Sequence, residues 1–399
     1  MLNITDLQQE QAITPILRLG FRPFFLFGSV FALVAMSCWV LLLTGTIELS
    51  PFNGATWWHS HEMLFGFVPA IVAGFLLTAV QTWTSIPSIK GTKLFGLLLV
   101  WLTARILLLA SPNLSIAIIM AIDLAFLPLT AYFLAAPIIK IKQYRNMIFI
   151  PVLLLMTVAN ALTYLPQFGY SASLSAQGMH SMVLLTTFLV AFLGGRVIPM
   201  FTANGTQTPK VMPIKWLEAS SLVSLIVLLV FFLSGFTRFS VVLGCLCLIS
   251  ALLNLIRQFR WRPWVTLNAP LVWSLHFSML FIPVGLTLLG LHFLFGLLSL
   301  STALHSITVG AIGGMIVAMT SRVSLGHTGR VLEVGRTMQL AFIAIILAAY
   351  VRSVLVAFWP QYSVELWILS AGLWCVTFAC FIACYLPILS APRVDGRPG

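Results

Sequence analysis

Twelve runs of apolar residues, each long enough to cross a ~30 Å hydrocarbon core, constrain this chain more than anything else in it. They lie at roughly 21–45, 58–82, 94–111, 114–136, 147–166, 177–199, 216–235, 239–257, 269–291, 301–320, 337–358 and 364–387. Within lipid no water is available to satisfy backbone N–H and C=O groups, so apolar segments of this length are helices. The expected fold is therefore all-α: a polytopic membrane protein of twelve transmembrane helices. Composition agrees, since 60% of the 399 residues are hydrophobic and only 8% charged, with a mean hydropathy of +1.06 that water-soluble domains do not reach.

The formal net charge of +12 is spread over the loops, and so speaks for membrane topology rather than for a nucleic-acid partner. Lys90 and Lys93 follow the second span, Lys140, Lys142 and Arg145 the fourth, and Arg196, Lys210 and Lys215 the sixth. Arg257, Arg260 and Arg262 follow the eighth, and Arg322, Arg330 and Arg336 the tenth. Arg18 and Arg22 precede the first span, and Arg393 and Arg397 close the tail. Only Arg105, Arg238 and Arg352 fall outside the scheme. The positive-inside rule then places both termini and the even-numbered loops in the cytoplasm. Residues 1–19 are expected to be a cytoplasmic segment without a cleavable signal, 20–390 a single twelve-helix domain, and 391–399 a cytoplasmic tail.

Three His-Ser pairs, at His59, His180 and His305, recur at near-even intervals, each near the start of an apolar run. Imidazole is expensive in a bilayer and is kept there for a partner or a metal. Spans two, six and ten all enter from the outer side, so these histidines and His61 share one depth. A ligand ~5 residues into a helix sits roughly 7 Å below the outer boundary. The recurrence every four helices points to a threefold pseudo-repeat in which each group of four spans turns one helix inward.

His59 and His61 diverge by about 200° on a helix and so serve different centres unless the helix begins after His59. The segment Trp57-Trp58-His59-Ser60-His61-Glu62-Met63 fits an aromatic interface belt as well as a metal site. Glu62 is either an acceptor that orients an imidazole or a carboxylate placed favourably at a helix N-terminus. His180 and His276 each read as a core histidine or as a ligand, with His276 near mid-membrane. His292 reads as an interface residue and His327 as a cytoplasmic loop residue. Arg105 and Asp123 approach from opposite sides and reach similar depths; an ion pair, a haem propionate partner and a proton-relay member all fit. Gly194, Gly195, Gly310, Gly313 and Gly314 read as close helix packing, or as packing against a flat macrocycle. The six cysteines form no C-x-x-C, and the absence of C-x-x-C-H rules out the usual covalent haem attachment. No Walker A loop or Gly-rich dinucleotide fingerprint occurs.

Several separately placed blocks resemble the NnrS family of bacterial inner-membrane proteins. They are Gly20-Phe21-Arg22-Pro23-Phe24-Phe25, Trp58-His59-Ser60-His61-Glu62-Met63-Leu64-Phe65-Gly66-Phe67 and Gly74-Phe75-Leu76-Leu77-Thr78-Ala79. Later come Gly194-Gly195-Arg196-Val197-Ile198-Pro199-Met200-Phe201-Thr202, His305 to Gly313, and Thr320 to Arg330. The resemblance implies a protein containing non-covalent haem b and copper, bound up with nitric oxide and protection against nitrosative stress, in the bacterial inner membrane. The span layout also resembles that of haem-copper oxidases and nitric oxide reductases. Carried over by position, this implies His61 and His305 as axial haem ligands, with His180 and His59 at copper. The reading of the residues themselves adds His276 as a further haem-ligand candidate and Glu62 and Arg105 in supporting positions. Span seven has no His pair and span ten only one His, so a binuclear oxygen-reducing centre is not expected. The expected small-molecule partner is nitric oxide or a related gas, and the electron donor and any turnover as an oxidoreductase are left open. The rival expectation is a secondary transporter or metal-handling permease without haem.

Overall fold

A computed structural model describes residues 7–236 and 238–397. Residues 1–6 of the expected N-terminal segment and 398–399 of the tail lie outside the described residues. Among the described residues there is no strand, and twelve helices are long and apolar enough to span a membrane. They are span one Phe21–Leu43, two Ala55–Thr84, three Thr92–Ala110, four Ile116–Lys140, five Tyr144–Phe168 and six Ser173–Thr206. Span seven is Lys215–Leu233, eight Ser240–Arg260, nine Pro270–Phe295, ten Leu300–His327, eleven Arg336–Phe358 and twelve Pro360–Ser390.

Most ends fall within a few residues of the hydropathy windows, and the exceptions have a physical cause. Span six continues through Pro199 to Thr206, and span ten runs on to His327. Their last turns carry polar residues that depress hydropathy, yet Thr202, Ser321 and Ser324 are buried. Thr328, one residue past the helix and also buried, donates from Oγ1 back to the Ser324 carbonyl. His327 is thus the last helical residue of span ten and not part of a loop.

Spans two, six and ten are the most buried, at 78%, 67% and 83%, against 33–50% for the other nine. These are the helices that the His-Ser recurrence picks out. Three spans also contain a π-helical stretch: Glu62–Phe67 in span two, Ser306–Gly313 in span ten and Val351–Leu355 in span eleven. The first two begin immediately after His61 and His305, whereas span six is α-helical throughout. A π segment rotates the residues on either side of it relative to one another, and such segments concentrate at functional sites.

The chain forms two compact units. Among the described residues one comprises 7–182, 320–332 and 381–397, the other 183–236, 238–319 and 333–380. In the first, Ala35, Phe52, Trp58, Leu108, Ile119 and Tyr164 form an apolar core, closed by a bond from the Phe52 amide to the Leu108 carbonyl. In the second, spans eight and nine meet where Gly244 faces Gly290, so closely that a Cβ added to either would lie 3.2 Å from the other's carbonyl oxygen. Small residues let backbones approach in this way where no hydrophobic effect drives association.

Candidate functional site

The first unit holds a cluster of charges with almost no solvent exposure. His61 and Glu62 come from span two, Arg105 from span three, Asp123 from span four, and Asn160 and Tyr164 from span five. The first turns of span two, Ala55–His61, are α-helical, and the π segment starts at Glu62. Arg105 Nη1 donates to Glu62 Oε1 at 2.6 Å, and its Nη2 donates to Asp123 Oδ1. The Arg105–Asp123 pair expected from depth is therefore present, and Glu62 makes it a triad. Gly66 has no side chain because Arg105 occupies the space: a Cβ there would lie 2.5 Å from Nη1. The Gly66 carbonyl accepts from Trp101 Nε1 at 2.8 Å.

The protonation of His61 follows from its partners. Asn160 Nδ2 donates to Asp123 Oδ2 at 2.7 Å, which turns the amide oxygen toward His61. That oxygen lies 2.9 Å from Nε2, with Asp123 Oδ2 at 3.3 Å, so Nε2 is a donor. Nδ1 faces Glu62 Oε1 at 3.0 Å and is a donor too. An imidazole donating from both nitrogens is an imidazolium. Trp57 stacks on it at 4.4 Å and 14°, the face-on contact that a cation favours. The cluster then balances, Arg105 and His61 against Glu62 and Asp123, which is what makes four charges tolerable where water is excluded. Tyr164 completes it by donating to Asp123 Oδ2 at 3.0 Å.

This geometry decides what the cluster can do. As placed, His61 has no lone pair for a metal, and axial ligation would require Nε2 to leave Asn160 and Asp123. The cluster can hold or release a proton, and the loss of one would leave it a net negative charge. Asn160 and Tyr164 were not anticipated from sequence. Their signal was an i, i+4 polar pair within an otherwise apolar span.

The remaining sequence-derived residues have distinct surroundings. His59 stacks on Trp39 at 4.5 Å, and His180 is part-buried near the start of span six, both in the first unit. His276 and His305 belong to the second unit. His276 Nε2 lies 2.8 Å from Thr202 Oγ1, with Trp261 edge-on. His305 Nδ1 lies 2.7 Å from the Ser301 carbonyl one turn earlier. A carbonyl only accepts, so Nδ1 carries the proton and the lone pair sits on Nε2. A backbone carbonyl held by the distal N–H is how metal-ligating histidines are commonly oriented. Among the described residues, no three His, Cys, Asp or Glu side chains are grouped to hold a metal ion.

The glycine motifs resolve as close packing. Gly195 clears Arg257 of span eight, whose guanidinium donates to Glu218 Oε2 at 2.6 and 2.9 Å and to the Ala191 carbonyl at 3.0 Å. Gly310 faces Phe281, Gly313 faces Trp374 and Gly314 faces Ser278.

In the first unit three of the family-like blocks converge. The Phe21 amide donates to Thr78 Oγ1 at 2.9 Å, Gly74 packs on Phe24, and the Phe21 ring lies 5.6 Å from that of His327. No curated protein matches the chain. The profile of the NnrS family, described as NnrS protein, matches residues 15–393. With a match over nearly its whole length and twelve membrane-spanning helices, this chain is a multi-pass membrane protein that belongs to the NnrS family.

Proposed function

We propose that this protein is a haem- and copper-binding protein of the bacterial inner membrane that binds or disposes of nitric oxide. Family membership supports the nitric oxide link. The observation that carries the haem reading is His305: its Nδ1 is tied to the Ser301 carbonyl at 2.7 Å, at the start of a π segment in the most buried span. This donor suits a non-covalent haem b, and bound haem would supply an iron to which a diatomic gas can attach. An apolar gas reaches such a site through lipid. In this reading His305 is an axial ligand and His61 is the cationic member of a proton-holding cluster. His59 and His180 supply the imidazoles for copper, for which nitrogen ligands are apt. Both termini lie in the cytoplasm, as the Lys and Arg distribution favours.

The buried ionic cluster supports a second reading, a proton-coupled transporter or metal permease, since intramembrane charges mark ion pathways. An optical spectrum and metal analysis of the purified protein separate the two. Soret and α bands with bound copper are the expected result, and His305→Ala should abolish the bands while His61→Gln keeps them. A colourless, metal-free protein would sink the haem reading. Full haem in the His305→Ala variant would refute the ligand assignment.

A further inference from the structure

The second unit contains a buried cation with no counter-ion. Arg352 lies in the π segment Val351–Leu355 of span eleven, and only 9% of it is exposed. Among the described residues no carboxylate pairs with it, in contrast to Arg105 and Arg257. Its guanidinium lies over the Trp367 ring of span twelve at 5.0 Å, and Nη2 donates to Ser301 Oγ of span ten at 3.2 Å. Nη1 is buried and has no hydrogen-bond partner, and neither has the buried indole N–H of Trp367. Ser301 itself is exposed, so the site opens at the end of the unit where span ten begins.

A lone guanidinium in a low-dielectric setting costs several kcal/mol unless something compensates it. Stacking on one tryptophan and one hydroxyl contact leave the charge, both N–H bonds of Nη1 and the Trp367 indole N–H unmet. The missing group is thereby specified: it bears negative charge, it only accepts hydrogen bonds, and it is small enough to enter beside Ser301. The planar fork of arginine matches a planar two-oxygen anion, which it binds through two parallel N–H···O bonds. Lysine would not match it.

We propose that Arg352, with Trp367 and Ser301, forms a binding site for a planar carboxylate-like oxyanion. Such a group has two sources: a free anion of formate or nitrite type entering past Ser301, or the propionate of a haem bound at His305. Ser301 links both, because its carbonyl orients His305 while its hydroxyl contacts Arg352. Only the propionate source rests on the haem reading above.

The test has two arms on the purified full-length protein in detergent. In the first, formate and nitrite are titrated calorimetrically into the haem-depleted protein, with chloride as control. Wild type should bind one of them with 1:1 stoichiometry, Arg352→Gln should lose at least tenfold in affinity, and Arg352→Lys should recover little. In the second, the protein is reconstituted with haem or with haem dimethyl ester, whose propionates are blocked. Arg352-dependent preference for free haem, without binding of the small anions, assigns the site to a propionate. If formate and nitrite do not bind and neither Arg352 variant alters the preference between the two haems, the proposal is overturned. Equal anion binding by wild type and Arg352→Gln overturns the free-anion assignment. If the protein takes up no haem at all, the first arm alone decides. A Ser301→Ala variant keeps the test open should Arg352→Gln fail to fold, with an expected loss of about tenfold or more, the cost of one hydrogen bond to a charged group.

Discussion

Replacing Arg105 by Gln is the sharpest test of the charge balance in the first unit. Arg105 bridges Glu62 and Asp123; 4% of its side chain is exposed, and at most 1% of either carboxylate. Without it, one imidazolium faces two carboxylates, and a net negative charge remains where no water can screen it. Deleting one member of a buried ion pair costs about 3–5 kcal/mol, against ~0–1 kcal/mol for a surface pair. The fold itself supplies the control. Glu62→Gln with Arg105→Gln leaves His61 opposite Asp123, a balanced pair, and the space beside Gly66 stays filled by an amide. The double variant should recover at least about 1.5 kcal/mol relative to Arg105→Gln, within the range of coupling seen between contacting residues. The assay is unfolding in mixed SDS and mild-detergent micelles, followed by tryptophan fluorescence. A single-variant cost below about 1 kcal/mol, or a double variant no more stable than the single, would refute the claim that charge balance holds these three helices together.

Gly66→Ala should destabilise by about 1–3 kcal/mol, because its Cβ would press on Arg105 and on Phe31 at 3.0 Å; wild-type stability in the same micelle assay would contradict this. Gly195→Ala should displace Arg257 and strand Glu218, lowering the yield of monodisperse protein, whereas Gly96→Ala, which meets nothing within 4 Å, should be silent. In the tail, Arg393 grips Asp395 with bonds of 2.9 and 2.5 Å, and these hold the Asp395 carboxyl below the usual carboxylate range. A lowered folded-state pKa gives stability that is present above the unfolded value of about 4 and is lost as pH falls below it. Hydrogen exchange at the Val394 amide, which donates to the Thr328 carbonyl, should therefore be slow at pH 7 and lose protection below about pH 4, after correction for intrinsic rates. Asp395→Asn should remove the pH dependence, and an unchanged profile would count against the pairing.

The residues that sequence reading brought together most securely were those whose chemistry is costly in lipid. Arg105 and Asp123 had to find each other because neither tolerates hydrocarbon alone, and their depths matched. The importance of spans two, six and ten was legible for the same reason, and they are the three most buried. The partners of His61 were not legible. A histidine at the right depth reads as a ligand until the tertiary structure shows both nitrogens facing acceptors, one of them on Asn160, 99 residues away in sequence.

Sequence alone determined that this chain is a twelve-helix membrane protein, since apolar run length and backbone hydrogen bonding leave lipid-embedded segments no alternative. It also determined which few residues are costly enough in lipid to need a partner. Only the tertiary structure decided which of them are compensated. Helix rotation, the π segments after His61 and His305, and the glycines that admit a guanidinium all depend on how neighbouring spans pack. That packing gives Arg105 two carboxylates and Arg257 one, and leaves Arg352 with a tryptophan face, a hydroxyl and an unmet positive charge.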